Sequence, residues 1–189
     1  MYKTGTYKVT TGPASEPLTV SEAKLYLKVD ASTDDTLITL LIQAARESCE
    51  KYLQMALISQ TITEKFYCFK PWGLRLSVSP MISVSSVAYM DSGGNSQTLS
   101  TDIYGVKDGE KPPLIYLKYG QVWPATYAQT DAITVTYLAG YADAASVPGA
   151  IKTAMYMILA EWYNNRQDSV RNMPTAAQWF LDQFRISWF

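Results

Sequence analysis

Among the residues that could do chemistry, one type is missing: the 189-residue chain contains no histidine. That removes the Ser-His-Asp and Cys-His nucleophile systems and the commonest metal ligand. No phosphate loop of the GxxxxGK[ST] form, no GxSxG elbow and no GxGxxG turn occurs, so nucleotide chemistry has no visible seat. Asp30, Asp34 and Asp35 are the kind of carboxylate cluster that Ca²⁺ or Mg²⁺ takes, yet their spacing is not that of a calcium loop. They precede a long apolar-periodic stretch, where acids interact favourably with a helix N-terminus. Asp91 and Asn95 flank two glycines without the alternating acids and terminal glutamate of a calcium loop, and SGGN (Ser92 to Asn95) predicts a hairpin turn instead. No catalytic residue, metal ligand or cofactor site is expected.

A second constellation interleaves bases with aromatics: Lys107, Lys111 and Lys118 among Tyr104, Tyr116, Tyr119 and Trp123. Such residues stack on and clamp single-stranded nucleic acid, which makes a nucleic-acid-binding accessory protein the alternative function. Asp102, Asp108 and Glu110 dilute the charge, and cross-strand packing on a sheet surface explains the aromatics more simply. Trp162 and Tyr163 are read as core rather than as a ligand cage. Cys49 and Cys68 have no paired metal-ligand spacing around them and are expected to be buried thiols in a reducing compartment.

The elements that would position these residues follow from periodicity. Thr19 and Glu22 in LTVSEAKLYLKV have capping-box spacing and predict a short helix to about Lys28. In ASTDDTLITLLIQAARESCEKYL, Ser32 or Thr33 is the expected N-cap, with Leu37, Leu41, Ala45 and Tyr52 beside Ile38, Ile42 and Cys49 forming an apolar stripe. After Leu57 the period changes to two. SQTITEKFYCF, LRLSVS, ISVSSVAYM, LIYLK and AITVTYL read as short strands of a small antiparallel sheet. Gly140 ends the last of them. Ser146 and Pro148 then open a helix whose face is Ile151, Ala154, Met155, Ile158, Leu159 and Trp162. A final helix begins near Pro174, with Ala176, Ala177, Phe180, Leu181 and Phe184 on one side.

The predicted fold class is α+β: a helical bundle with a small antiparallel β-rich insertion between its second and third helices. Residues 1–57 supply an N-terminal arm and the first helices, 58–138 the insertion, and 139–189 the helices that complete the bundle. With 48% hydrophobic residues the chain can bury a substantial core, and its 17% charged residues lie below the usual share of about 25%. Sixteen basic and 17 acidic residues leave a net charge of -1, which gives no electrostatic footprint for gripping DNA or an anionic membrane. Nothing at the start has the apolar core of a signal peptide, and no apolar run is long enough to span a bilayer, so a soluble cytoplasmic protein is expected.

The blocks EPLTVSEAKLYLKVD, DDTLITLLIQAARESCEKYL, PMISVSSVAYMD, YGQVWPAT and TVTYLAGYADAASVPGAIKTAMYMILAEWYNNR occur in one order over about residues 16 to 166. In that order they resemble the head-tail connector (adaptor, or head completion) family of tailed bacteriophages and prophages. The resemblance implies a structural virion protein at the head-tail junction, assembled in the host cytoplasm. It further implies a ring of identical subunits, usually twelve, that docks under the portal protein, lets DNA pass without binding it specifically, and receives a tail-side connector or stopper protein. The chain ends QWFLDQFRISWF, and family connectors are thought to reach the portal through this C-terminal segment. Ile186, Trp188 and Phe189 are therefore the expected portal-binding residues, since large aromatics at a free terminus need a partner to cover them.

Overall fold

The computed structural model describes residues 5–165 and 173–185. Eight strands and four helices follow in chain order: β1 (Thr6–Thr11), α1 (Val20–Leu27), α2 (Asp35–Leu53), β2 (Gln60–Phe66), β3 (Leu74–Arg75), β4 (Met81–Met90), β5 (Ser96–Thr98), β6 (Tyr104–Lys107), β7 (Leu114–Leu117), β8 (Ile133–Ala139), α3 (Gly149–Asn164) and α4 (Thr175–Asp182). The fold is mixed α+β with antiparallel sheets, and seven strands lie between α2 and α3. Within the described residues the chain divides into two compact units. A β unit takes the chain up to Pro13 and from Ser59 to Gly140, and a helical unit takes Ala14–Ile58 and the chain from Tyr141 onward.

The β unit holds a five-stranded sheet in the order β1-β2-β8-β4-β5 and a three-stranded sheet in the order β3-β7-β6. β2 and β8 alternate strictly, so Gln60, Ile62, Glu64 and Phe66 share one buried face with Ile133, Val135, Tyr137 and Ala139, to which they are paired in register. Asp91 to Asn95 reverses the chain between β4 and β5. Gly94 sits there at φ +81, and the Asp91 carboxylate accepts from the backbone N–H groups of Gly93 and Asn95, both at 2.9 Å. These bonds, that to Asn95 first, hold the Asp91 pKa below the usual carboxylate range.

Three strands escape the sequence reading: β1, β5 and β6. β1 falls in the stretch read as an arm ahead of the helices, and it pairs antiparallel with β2. LRLSVS yields only the two-residue β3, because the backbone donors of Ser77 and Val78 go to the side chains of Glu64 and Tyr137 instead of to a neighbouring strand. Cys68 lies beyond the end of β2 and is only partly buried.

In the helical unit, Thr19 and Glu22 form the capping box the sequence predicts, with Glu22 N–H donating to Thr19 Oγ1 at 3.2 Å and Thr19 N–H to Glu22 at 2.8 Å. The other starts differ. α2 is capped by Asp34 rather than Ser32 or Thr33, with no bond from the cap side chain to the helix. α3 starts after Pro148 without a side-chain cap, and Ser146 N–H instead donates to Asp143 Oδ1 at 2.7 Å. The core joins Ile38, Ile42, Ala45, Cys49 and Leu53 of α2 to Ile151, Ala154, Met155, Ile158 and Leu159 of α3 and to Ala177 and Leu181 of α4. Leu41 is packed at its margin rather than buried, and Ala176 is exposed. Burial of each large aliphatic side chain contributes about 1.5–3 kcal/mol, so this seam carries most of the unit's stability. At Cys49 burial pushes the thiol pKa up to about 12, which makes it an inert core residue.

Candidate assembly surface

Two of the three acids that suggested a cation site are engaged elsewhere. Asp35 pairs with Lys24 at 2.8 Å, Asp34 accepts from the Tyr163 hydroxyl, and Asp30 stands exposed. Among the described residues no group of three or more Cys, Asp or Glu could hold a metal ion. Tyr163 thus fastens the end of α3 to the start of α2, and it and Trp162 are packed against the core at its margin rather than buried in it.

Most of the bases and aromatics of the β unit are engaged within it, Lys111 and Tyr119 standing exposed. Tyr104 is buried, and the Tyr116 ring lies across Gly105, where an added Cβ would stand 2.4 Å from it. Lys107 sits 5.8 Å from the Tyr116 ring centroid and 3.4 Å from Glu110. Lys118 donates to the Thr101 carbonyl at 2.8 Å. Trp123 stacks on Phe69 at 4.6 Å and donates its ring N–H to the Lys70 carbonyl, which ties two loops together. Of the aromatics named, only Tyr119 is fully open to solvent. The set works as sheet and loop packing.

Two buried polar clusters were not singled out from sequence. In the β unit Glu64 accepts from Ser77 N–H at 2.8 Å, Ser77 Oγ at 2.6 Å and the Tyr137 hydroxyl at 3.0 Å. No cation pairs with it among the described residues, and burial pushes its pKa above the usual carboxylate range against the pull of these bonds. In the helical unit Arg46 reaches Glu16 and Glu50, both at 2.7 Å, while Glu50 also accepts from Leu57 N–H at 2.8 Å. Burial works against the Arg46 charge, but the two carboxylates outweigh it and hold its pKa above the ordinary value. Burial raises the Glu50 pKa. Both clusters have a signal in the sequence: Glu64 falls in the apolar phase of its strand, and Arg46 in the apolar phase of its helix, four residues from Ile42 and three from Cys49.

What remains available to a partner is surface. Every residue of β1 is exposed on the open edge of the five-stranded sheet, including Tyr7 at 49% and Val9 at 42%. In the helical unit Leu25 is 83% exposed, and Tyr26 stacks on Tyr156 at 5.0 Å beside it. On α4 Ala177 and Leu181 face the core while Trp179 is 70% exposed. The Tyr52 hydroxyl bonds Asp182, and Arg185 lies 5.2 Å from the Tyr52 ring centroid, so α4 is fastened to α2 up to the last described residue. Ile186, Trp188 and Phe189, the expected portal-binding residues, lie outside the described residues.

Among curated proteins no relative matches the sequence. Solved structures do match the fold. A chain from the virion of a native gene transfer agent particle superposes with a TM-score of 0.81 at 17% identity, over 97% of this chain and 96% of that one. A chain from the neck of an empty particle of this kind, computed with C6 symmetry, gives 0.80 at 18% identity, with 97% of each chain covered. One from the neck of the native particle, computed with C12 symmetry, gives 0.76 at 18% identity over the same shares. The model of the family described as "Head completion protein" matches residues 16–177, nearly the span over which the sequence resembles phage connectors. By that match the chain belongs to the head completion protein family.

Proposed function

We propose that this chain is a structural virion protein, one subunit of a connector ring at the head-tail junction of a phage-like particle. The ring docks under the portal, extends the DNA channel and receives the tail-side connector or stopper protein. The observation that carries this reading is the family match over residues 16–177, and the similarity of fold to chains of a virion and of particle necks supports it. The C6 and C12 symmetries of those necks support a ring of identical subunits, twelve in the virion. The chain's own residues suit the role. A net charge of -1 avoids the salt-dependent phosphate contacts that would retard DNA in a channel. Ile186, Trp188 and Phe189 are the proposed anchors on the portal. In sequence they follow shortly after α4, whose last residue, Asp182, and the nearby Arg185 are both held by Tyr52.

Loss of function in the particle tests this directly. Without the protein, heads should fill with DNA yet fail to join tails, and adding the purified protein to such heads should restore joining. Normal tail joining in its absence would refute the connector role.

A further inference from the structure

The five-stranded sheet has two open edges, β1 and β5, and both are exposed along their whole length. Soluble proteins normally blunt a free edge by shortening it, charging it or placing proline on it, because unpaired N–H and C=O groups recruit other strands. β5 is three residues long. β1 has six residues, TYKVTT, with one lysine and no proline. Its pairing with β2 sets Tyr7 opposite Glu64 and Val9 opposite Ile62, so these two side chains continue the sheet's buried face into solvent. Thr10 and Thr63 share a hydrogen bond at 2.8 Å, on the opposite side of the pleat. The face that reaches Tyr7 and Val9 runs across the sheet through Val135 and Val87, and through Ile133 and Tyr89 to Gln97 on the far edge.

We infer that the β1 edge is a subunit interface, and that its occupant is the β5 edge of a second copy of this chain. The inference rests on the ring reading above. A polar ring repeats one head-to-tail contact between two different patches of each subunit, which excludes β1 against β1 because that pairing is two-fold. The two opposite edges of one sheet supply different patches that are complementary through their backbones, and their pairing carries the sheet from copy to copy. Tyr7 and Val9 then gain a covering on the side where the sheet leaves them bare.

Pairs of cysteines test this in the full-length chain assembled on portal rings. In the assembled sample Val9→Cys with Gln97→Cys, or Tyr7→Cys with Gln97→Cys, should give a ladder of disulfide-linked multimers under mild oxidation. Each single variant should give none. Rings visible by electron microscopy in the same sample without a ladder from either pair would overturn the edge pairing and leave the ring reading standing. Absence of rings in the wild-type chain would overturn both. As a second measurement, Tyr7→Lys with Val9→Lys should leave the monomer's Tm within about 2 °C, as surface changes do, while lowering ring assembly at least ten-fold. Unimpaired assembly by that variant would contradict the inference.

Discussion

Glu64 brings a carboxyl group into the interior of the β unit, where Ser77 and Tyr137 donate to it and no cation neutralises it among the described residues. Burial raises its pKa, so in the folded chain it holds its proton to higher pH than in the unfolded chain. A carboxyl group of this kind favours the fold most below its ordinary pKa, and that contribution is lost as pH rises through the raised value. Glu64→Gln has no such dependence. Measured by urea unfolding at increasing pH, the stability difference should move in the variant's favour as pH rises from the ordinary carboxylate range through the raised pKa, and level off above it. A flat difference, or one that moves the other way, would contradict a raised pKa. Arg46 is the opposite case, a buried cation whose loss leaves Glu16 and Glu50 facing each other without it. Arg46→Ala should cost about 3–5 kcal/mol in the same assay. The exposed pair Lys65–Asp131, at 3.0 Å, should by contrast contribute about 1 kcal/mol or less.

At the scale of elements, the seam between α2 and α3 decides the stability of the helical unit. Ile42→Ala and Ile158→Ala each empty a buried site and should cost about 2–5 kcal/mol, whereas Leu41→Ala, at the margin of the core, should cost less. Equal losses at positions 41 and 42 would mean that the helix face is set about one residue away from where it is described. Much of this seam was legible: Ile38, Ile42, Ala45 and Cys49 recur at helical spacing, as do Ile151, Ala154, Met155 and Ile158. Thr19 and Glu22 announced the first helix because both halves of a capping box are local. The other helix starts were less legible, since Ser32, Thr33 and Ser146 have the right chemistry for a cap but the chain turns into the helix at Asp34 and Pro148. β1 was missed for a different reason. An edge strand has no neighbour on one side and no buried run to mark it, so TYKVTT reads as an arm until β2 is placed beside it. Glu64 and Arg46 were legible as polar residues out of step with an apolar phase; only Glu50, four residues from Arg46 on the same helix, is a local partner, while the others lie 13 and 73 residues away for Glu64 and 30 for Arg46.

For the whole molecule the family match and the fold support one account, the connector subunit proposed above, and the exposed apolar residues lie on strands, helices and loops alike. At the C-terminus, Trp188→Ala with Phe189→Ala should leave the monomer's Tm nearly unchanged while weakening attachment to the portal. Aromatic anchors of this kind are commonly worth about 2 kcal/mol or more each, so the pair should lose at least about a hundred-fold in affinity. Full-affinity docking by the doubly substituted chain would remove these residues from the interface. The most direct test of the connector role itself is cryo-electron microscopy of the purified full-length chain mixed with its portal ring. The account predicts twelve copies added as a closed ring beneath the portal, around an open channel coaxial with the portal's own. A folded chain that leaves the portal bare, or that binds it without closing a ring, would contradict it.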